Sequence, residues 1–144
     1  MFAVCSESVA SAELLAAFPT AYVLQTLGSL PSDLDAVTRT IIEYGVVGNG
    51  VRHIVVCGHH RCREPGGSRT PETSQALIRS RCRALQADDH VGSMLRRARV
   101  TLRVLWIEEL SRELYACDSD GLPPRLMGDE ELAATFAAFD EASA

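Results

Sequence analysis

The stretch His53–Arg63, with the sequence HIVVCGHHRCR, decides the fold and holds the candidate chemistry of the chain. Ile54–Val56 is a short run of β-branched residues, as expected for a buried strand of a parallel sheet. Gly58 follows this run, and we expect the chain to turn sharply there. His59 and Cys62 would then lie just beyond the carboxyl end of a strand, where open α/β sheets commonly place their functional sites.

His59 and Cys62 are close enough in sequence for one turn to direct both side chains at a single metal ion. A zinc site needs three or four ligands, so at least one more must come from elsewhere in the chain. Cys5 is the best candidate, because it ends an earlier apolar segment as Cys57 ends the later one. Neighbouring parallel strands present their carboxyl ends on the same side of a sheet. The alternative is that Cys5 and Cys62 are small buried hydrophobic residues.

Length and composition predict one globular domain over residues 1–144. Hydrophobic residues make up 47% of the chain and charged residues 23%, an ordinary balance for a single packed core. The net charge of −5 argues against nucleic acid or an anionic membrane as a partner. The five cysteines are an odd number and indicate thiols or metal ligands rather than a disulfide framework.

The sequence shows no signal for a membrane or for export. No apolar run approaches the ~20 residues that a membrane-spanning helix requires. The first residues, MFAVCSES, lack a basic segment followed by a long apolar one. We therefore expect a cytoplasmic protein with no membrane partner.

The order of the predicted elements favours an α/β fold with a mainly parallel β-sheet and crossover helices. The predicted strands are Met1–Cys5, Ala21–Leu27, His53–Cys57, Val100–Ile107 and Leu114–Cys117. The predicted helices are one that follows an N-cap at Ser32 and carries Leu34, Val37, Ile41 and Tyr44, one from Pro71 to about Gln86, one over His90–Ala98 and one over Asp129–Ala142. The intervening loop Arg63–Thr70 is rich in glycine and proline, so we expect it to be the most mobile segment and to border the metal site.

Two segments of the chain resemble the paired motifs of the β-class carbonic anhydrases. Cys5–Val9 (CSESV) is similar to the C-x-D-S-R segment of that family, and Val56–Cys62 (VCGHHRC) is similar to its V-C-G-H-S-x-C-G segment. Between them, Tyr22–Leu30 stands where the family has a strand and a loop with R-N-A-G-N, and Leu34–Gly50 resembles the helix that leads to the second motif. The resemblance covers about Met1–Cys62 and is looser beyond it.

The resemblance implies a β-carbonic-anhydrase-like zinc domain that catalyses the reversible hydration of carbon dioxide to bicarbonate. Cys5, His59 and Cys62 would hold Zn²⁺ and leave one position open, and zinc would lower the pKa of a water bound there. It also implies a homodimer or a higher homo-oligomer, because the sites of the family lie at a dimer interface. A related small molecule such as carbonyl sulfide is an alternative substrate.

The chain departs from the family pattern beside the metal. In the family, the Asp of C-x-D-S-R contacts the zinc-bound water, and the Arg of that motif holds the Asp off the metal; Glu7 and Val9 stand at these positions here. Val9 cannot pair with a carboxylate, so we expect Glu7, the candidate catalytic residue, to act as a fourth ligand as well. Hydration of carbon dioxide would then be weak, unless another arginine, Arg61 or one from a partner chain, restrains Glu7.

Other readings of the same residues remain. The chain is alternatively a zinc-binding homologue without catalysis that serves as a binding or regulatory module. His60, Arg61 and Gln25 are candidate accessory residues of the site, and His60 could move protons near the metal. Cys57–Arg63 also has the C-x5-R spacing of phosphatase loops, although such loops need small residues and exposed backbone N–H groups.

Overall fold

The computed structural model describes residues 1–9, 12, 16, 18–31, 33–60, 62–63, 71–117, 125–128, 130–131, 133–134 and 137. Its strands are β1 (Phe2–Cys5), β2 (Val23–Thr26), β3 (His53–His59), β4 (Thr101–Glu108), β5 (Glu113–Ala116) and β6 (Arg125–Leu126). Its helices are α1 (Ala36–Glu43), which continues into a π-helical turn (Tyr44–Gly48), α2 (Pro71–Ala87) and α3 (Asp89–Arg97). Each helix within these residues is too short or too polar to span a lipid bilayer.

The strands form one six-stranded sheet in the order β2-β1-β3-β4-β5-β6. β1 pairs in parallel with both β2 and β3, and β3 pairs in parallel with β4. β5 and β6 extend the sheet with antiparallel pairs. The predicted α/β fold with a mainly parallel sheet and crossover helices is therefore confirmed. The order also makes β1 and β3 direct neighbours, so their carboxyl ends meet at one edge of the sheet.

The central strands are apolar on both faces, which explains why β1 and β3 read as continuous hydrophobic runs. Alternate residues of these strands point to opposite faces. One face packs against all three helices, and its buried side chains include Ala3, Ile54, Val56, Ile78, Leu85, Leu95 and Trp106. The other face carries a second buried cluster that includes Phe2, Val4, Val55, Cys57 and Leu105.

β3 is longer than predicted, and the sharp turn expected at Gly58 is wrong. Gly58 and His59 both lie within the strand and pair with Trp106 and Ile107 of β4. A Cβ atom at Gly58 would overlap Ile78 Cδ1 and lie 3.2 Å from Trp106 Cδ1. Glycine is needed here because α2 packs closely against the sheet, and not because the chain turns.

The N-cap predicted at Ser32 is also wrong, and Ser32 itself lies outside the described residues. The cap is Asp35, whose carboxylate accepts a hydrogen bond from the Thr38 N–H at 2.6 Å. Leu34 therefore precedes the helix. Asp35 takes the cap position because it immediately precedes Ala36, the first residue of the helix.

Helix α1 and the π-helical turn after it expose several apolar side chains. Val37, Ile41, Tyr44 and Val47 are exposed, and we call these four residues the α1 stripe. Thr38 and Ile42 are the buried residues of α1. The apolar positions at helical spacing thus mark a surface of this chain rather than its core.

The remaining predicted elements agree with the structure where it describes them. α2, α3, β4 and β5 begin and end within one or two residues of their predicted bounds. The loop Arg63–Thr70 after its first residue, and most of the helix predicted over Asp129–Ala142, lie outside the described residues.

Candidate metal centre

Four candidate ligands meet at the carboxyl ends of β1 and β3. One donor atom each from Cys5, Glu7, His59 and Cys62 lies within 4.8 Å of the others. Cys5 is the last residue of β1 and His59 the last of β3, so the parallel pairing of the two strands brings them together. Cys62 follows shortly after β3. The structure thus assembles the residues that the sequence singled out as candidate ligands, together with Glu7.

The donor set and its geometry fit zinc. The Sγ atoms of Cys5 and Cys62 are 3.7 Å apart, which is too far for a disulfide bond. Two sulfurs bound at about 2.3 Å to one tetrahedral ion would be separated by about 3.8 Å. His59 is only 3% exposed, and neither of its ring nitrogens has a hydrogen-bond partner within the described residues. A buried imidazole beside two thiols is a suitable ligand set for zinc.

Cys5 is held by donors from two loops. The N–H groups of Glu7 and Gly28 point at Cys5 Sγ from 3.5 and 3.3 Å. Gly28 has a φ of +77°, a conformation that glycine adopts without strain. The carbonyl oxygen of Gly28 accepts a hydrogen bond from the buried Arg81 at 2.7 Å. Helix α2 therefore fixes the loop whose N–H group faces this sulfur.

Glu7 is bound by Arg63. The Arg63 N–H donates to Glu7 Oε2, and Arg63 Nε donates to Glu7 Oε1, both at 2.9 Å. The hydrogen bond from the Arg63 backbone lowers the pKa of Glu7 most, and the guanidinium lowers it further. An arginine of this chain, Arg63, therefore restrains the carboxylate. Arg61, which the sequence suggested for this role, lies outside the described residues. The side chain of Arg63 is 84% exposed.

Two glutamates that sequence reasoning missed border the site. Glu109 Oε1 lies 3.4 Å from His59 Nδ1 and accepts a hydrogen bond from the Val9 N–H at 3.1 Å. Glu108 Oε2 lies 3.4 Å from His60 Nδ1. The sequence did contain a signal for them, because Glu108 and Glu109 directly follow the predicted strand Val100–Ile107. Only the strand order shows that this strand lies beside β3, so that the two glutamates come close to the two histidines.

The other candidate residues lie outside the ligand cluster. His60 is half-buried and packs edge-on against Trp106, with ring centroids 6.2 Å apart. Gln25 is exposed on β2, which is an edge strand of the sheet. Cys57 packs in the core, and burial raises its pKa to about 12. A thiol of this kind is protonated at neutral pH, which removes the basis for a Cys57 nucleophile in a phosphatase-like loop.

Comparison with known proteins adds independent information. A family model described as carbonic anhydrase matches residues 1–101. A search of the curated proteins finds no significant match.

Several solved structures share the fold. The β-carbonic anhydrase CafD of Aspergillus fumigatus superposes with a TM-score of 0.62 at 16% identity, over 80% of this chain and 86% of that chain. One of two tetrameric β-carbonic anhydrases from Sordaria macrospora gives 0.66 at 14% identity, over 80% and 78%. The carbonic anhydrase of Streptococcus mutans gives 0.58 at 16% identity, over 81% and 79%. At these identities the likeness establishes the architecture of the sheet and helices.

Proposed function

Because the chain belongs to the β-carbonic anhydrase family, we propose that residues 1–144 form one zinc-dependent domain that hydrates carbon dioxide reversibly, with low activity. The observation that carries this proposal is the cluster at the ends of β1 and β3. Two cysteine sulfurs 3.7 Å apart and a buried imidazole without a hydrogen-bond partner among the described residues are suited to one metal ion.

Each residue of the cluster has a role in this proposal. Cys5, His59 and Cys62 hold Zn²⁺, which when bound supplies a Lewis acid that makes water a nucleophile near neutral pH. Glu7 is the catalytic residue, because its carboxylate reaches the same point and can accept a hydrogen bond from a water there. Arg63 binds both oxygens of Glu7 and so restrains the carboxylate beside the ligands.

Low activity follows from the exposure of Arg63. An exposed ion pair contributes little, because water and salt screen it. Glu7 can therefore leave Arg63 and act as a fourth ligand, which would close the site. If Glu7 stays bound as the fourth ligand, the protein is a zinc-binding homologue without catalysis. The position of Glu7 among the ligand atoms is the observation that favours this second candidate. Carbonyl sulfide, a linear relative of carbon dioxide, is the alternative substrate.

The test is a stopped-flow assay of carbon dioxide hydration on the zinc-loaded protein, with the variant Val9→Arg and the double variant Val9→Arg/Glu7→Asp. Val9 is exposed, so an arginine fits there without displacing core residues. We expect about one zinc per chain, slow hydration in the unmodified protein and a gain in the double variant. Fast hydration by the unmodified protein at neutral pH would contradict the low activity. No hydration by either variant would favour the silent homologue, and the absence of metal in freshly purified, reduced protein would overturn both.

We also propose that the chain forms a homodimer or a larger homo-oligomer through the α1 stripe. Four exposed apolar side chains on neighbouring turns favour a protein partner. Tyr44 of the stripe packs edge-on against Tyr22, with centroids 6.5 Å apart, and Tyr22 precedes the edge strand β2. The Sordaria macrospora relatives are described as tetrameric. Cytoplasmic location and the lack of nucleic-acid or membrane partners stay predictions from the sequence.

Light scattering at micromolar concentration tests the oligomer. We expect Val47→Arg to shift the protein towards the monomer, because it places a charge within the apolar surface. Leu110→Arg is the matched control, since Leu110 is equally apolar and exposed but lies in the turn after β4. A monomeric mass for the unmodified protein would refute the proposal.

A further inference from the structure

Two consecutive histidines at the end of β3 face two consecutive glutamates at the end of β4. His59 Nδ1 is 3.4 Å from Glu109 Oε1, and His60 Nδ1 is 3.4 Å from Glu108 Oε2. The β3–β4 ladder sets this alignment, because His59 is paired with Ile107 and the His60 N–H donates to the Ile107 carbonyl at 3.1 Å. The two pairs have the same chemistry and the same spacing, but only His59 belongs to the ligand cluster.

We propose that Glu109 is a positioning residue for the metal site. Its carboxylate accepts a hydrogen bond from Nδ1–H of His59, which leaves Nε2 of the ring with a lone pair for the metal. Histidines that bind metals commonly donate their other ring N–H to a carboxylate or carbonyl, and that bond fixes both the tautomer and the ring orientation. This inference rests on the proposed function, since it concerns the same site.

The burial of His59 supports this role. The ring is 3% exposed, and its two nitrogens have no hydrogen-bond partner among the residues that the structure describes. A buried polar group without a partner is costly, so each nitrogen requires one. Glu109 is the carboxylate beside Nδ1, and their separation of 3.4 Å exceeds a hydrogen bond by a few tenths of an ångström. Glu109 lies in the turn after β4, where the side chain can close this gap.

Glu109 also connects the two segments that supply the ligands. The same oxygen that faces His59 accepts the hydrogen bond from the Val9 N–H at 3.1 Å. Val9 belongs to the segment that follows Cys5 and carries Glu7. One carboxylate oxygen therefore holds the loop after β1 against the histidine at the end of β3. Loss of Glu109 should loosen both segments relative to each other.

The first experiment measures zinc affinity by competition with a chromogenic chelator, for the unmodified protein, Glu109→Ala, Glu109→Gln and Glu108→Ala. Changes to such outer partners typically weaken metal binding about 10- to 100-fold, which is the loss that we expect for Glu109→Ala. Glu109→Gln should lose less, because its amide oxygen still accepts both hydrogen bonds. Glu108→Ala, which removes the equivalent contact of the neighbouring histidine, should stay within about twofold of the unmodified protein.

The second experiment uses the metal-free protein with ¹⁵N-labelled histidine, and reads the tautomer of the neutral His59 ring by NMR. We expect the Nδ1–H form in the unmodified protein and in Glu108→Ala, and a gain of the Nε2–H form in Glu109→Ala. Equal zinc affinities for Glu109→Ala and Glu108→Ala, or an unchanged His59 tautomer in Glu109→Ala, would overturn the proposal. If the unmodified protein binds no zinc, the proposed function fails, and the tautomer alone decides the role of Glu109.

Discussion

The ligand cluster has a buried half and an exposed half, and the two are built differently. Cys5 and His59 end neighbouring strands and are 0% and 3% exposed. Glu7 lies in a loop and is bound by Arg63, whose side chain is 84% exposed. Backbone pairing and close packing fix the first two residues, whereas a solvated ion pair fixes the third. The sheet therefore fixes the buried candidate ligands, while a surface ion pair controls the position of Glu7 beside them.

The largest expected effect comes from a change in the buried half. Cys5→Ser replaces the sulfur by a hydroxyl, which is a poor ligand for zinc but can still accept from the two N–H groups that face Cys5. We expect the zinc content to fall from about one per chain to near zero and the melting temperature to drop, because metal binding is coupled to folding. Elemental analysis and thermal unfolding measure the two effects.

Cys82→Ala is the matched control for that change. Cys82 is buried in α2 and lies outside the ligand cluster. The control should keep its zinc although it loses a buried thiol. Retention of zinc by Cys5→Ser would show that the buried half does not hold the metal.

A change in the exposed half should have a smaller effect, and it should alter the rate of carbon dioxide hydration rather than the zinc content. Arg63→Ala removes the guanidinium and keeps the backbone N–H that also binds Glu7. We expect unchanged zinc content and a fall of at most about fivefold in carbon dioxide hydration, because an exposed ion pair contributes about 0–1 kcal/mol and a freed carboxylate is a competent zinc ligand. In the double variant Arg63→Ala/Glu7→Gln, the side chain at position 7 should not occupy the open zinc position, since an amide is a poorer ligand for zinc than a carboxylate. Equal rates for Arg63→Ala and the unmodified protein would show that Arg63 does not control Glu7.

The buried thiol of Cys82 should make the folded protein less stable at alkaline pH. Burial raises the pKa of Cys82 from 9.0 to about 11. The folded protein therefore keeps this proton between those values while the unfolded chain loses it, so the free energy of unfolding falls as the pH rises through that range. The slope is at most about 1.4 kcal/mol per pH unit for one thiol. Urea unfolding at several pH values measures it, and Cys82→Ala should show a shallower decline.

The smallest effect is expected for His60, which is adjacent to the buried half but not part of it. His60 contacts Glu108 and Trp106 rather than the ligands. We expect His60→Ala to keep full zinc content and to change carbon dioxide hydration by no more than about twofold at neutral pH. A large loss of rate with normal zinc content would instead indicate that His60 moves protons.

The buried half of the site could be predicted from the sequence because it depends only on strand order. The β-branched run before Cys57 predicted a buried parallel strand, and Cys5 ended the other apolar segment near it. Parallel pairing then brought the two ends together. The prediction failed where a distant element decides the local conformation: the strand continues through Gly58 because Gly58 and His59 pair with Trp106 and Ile107 of β4.

The exposed half was harder to predict because it depends on side-chain geometry in loops. Several arginines follow β3, and their order in the sequence does not say which one reaches Glu7. The structure selects Arg63, whose backbone N–H is also in reach. Glu109 was missed for a related reason, since its contact with His59 depends on the register of β4 and on the turn after it.

Gly58 limits how this protein could be redesigned. It separates the core residue Cys57 from the candidate ligand His59, and a Cβ atom there would overlap Ile78 Cδ1, so any larger residue requires the Ile78 side chain to move. The side chains of Arg63 and Glu7 are 84% and 22% exposed, so a changed residue there meets fewer packed neighbours. A library aimed at new substrates or metals should therefore vary the surroundings of Arg63 first and keep glycine at position 58, where a larger residue would compete with Ile78 for space.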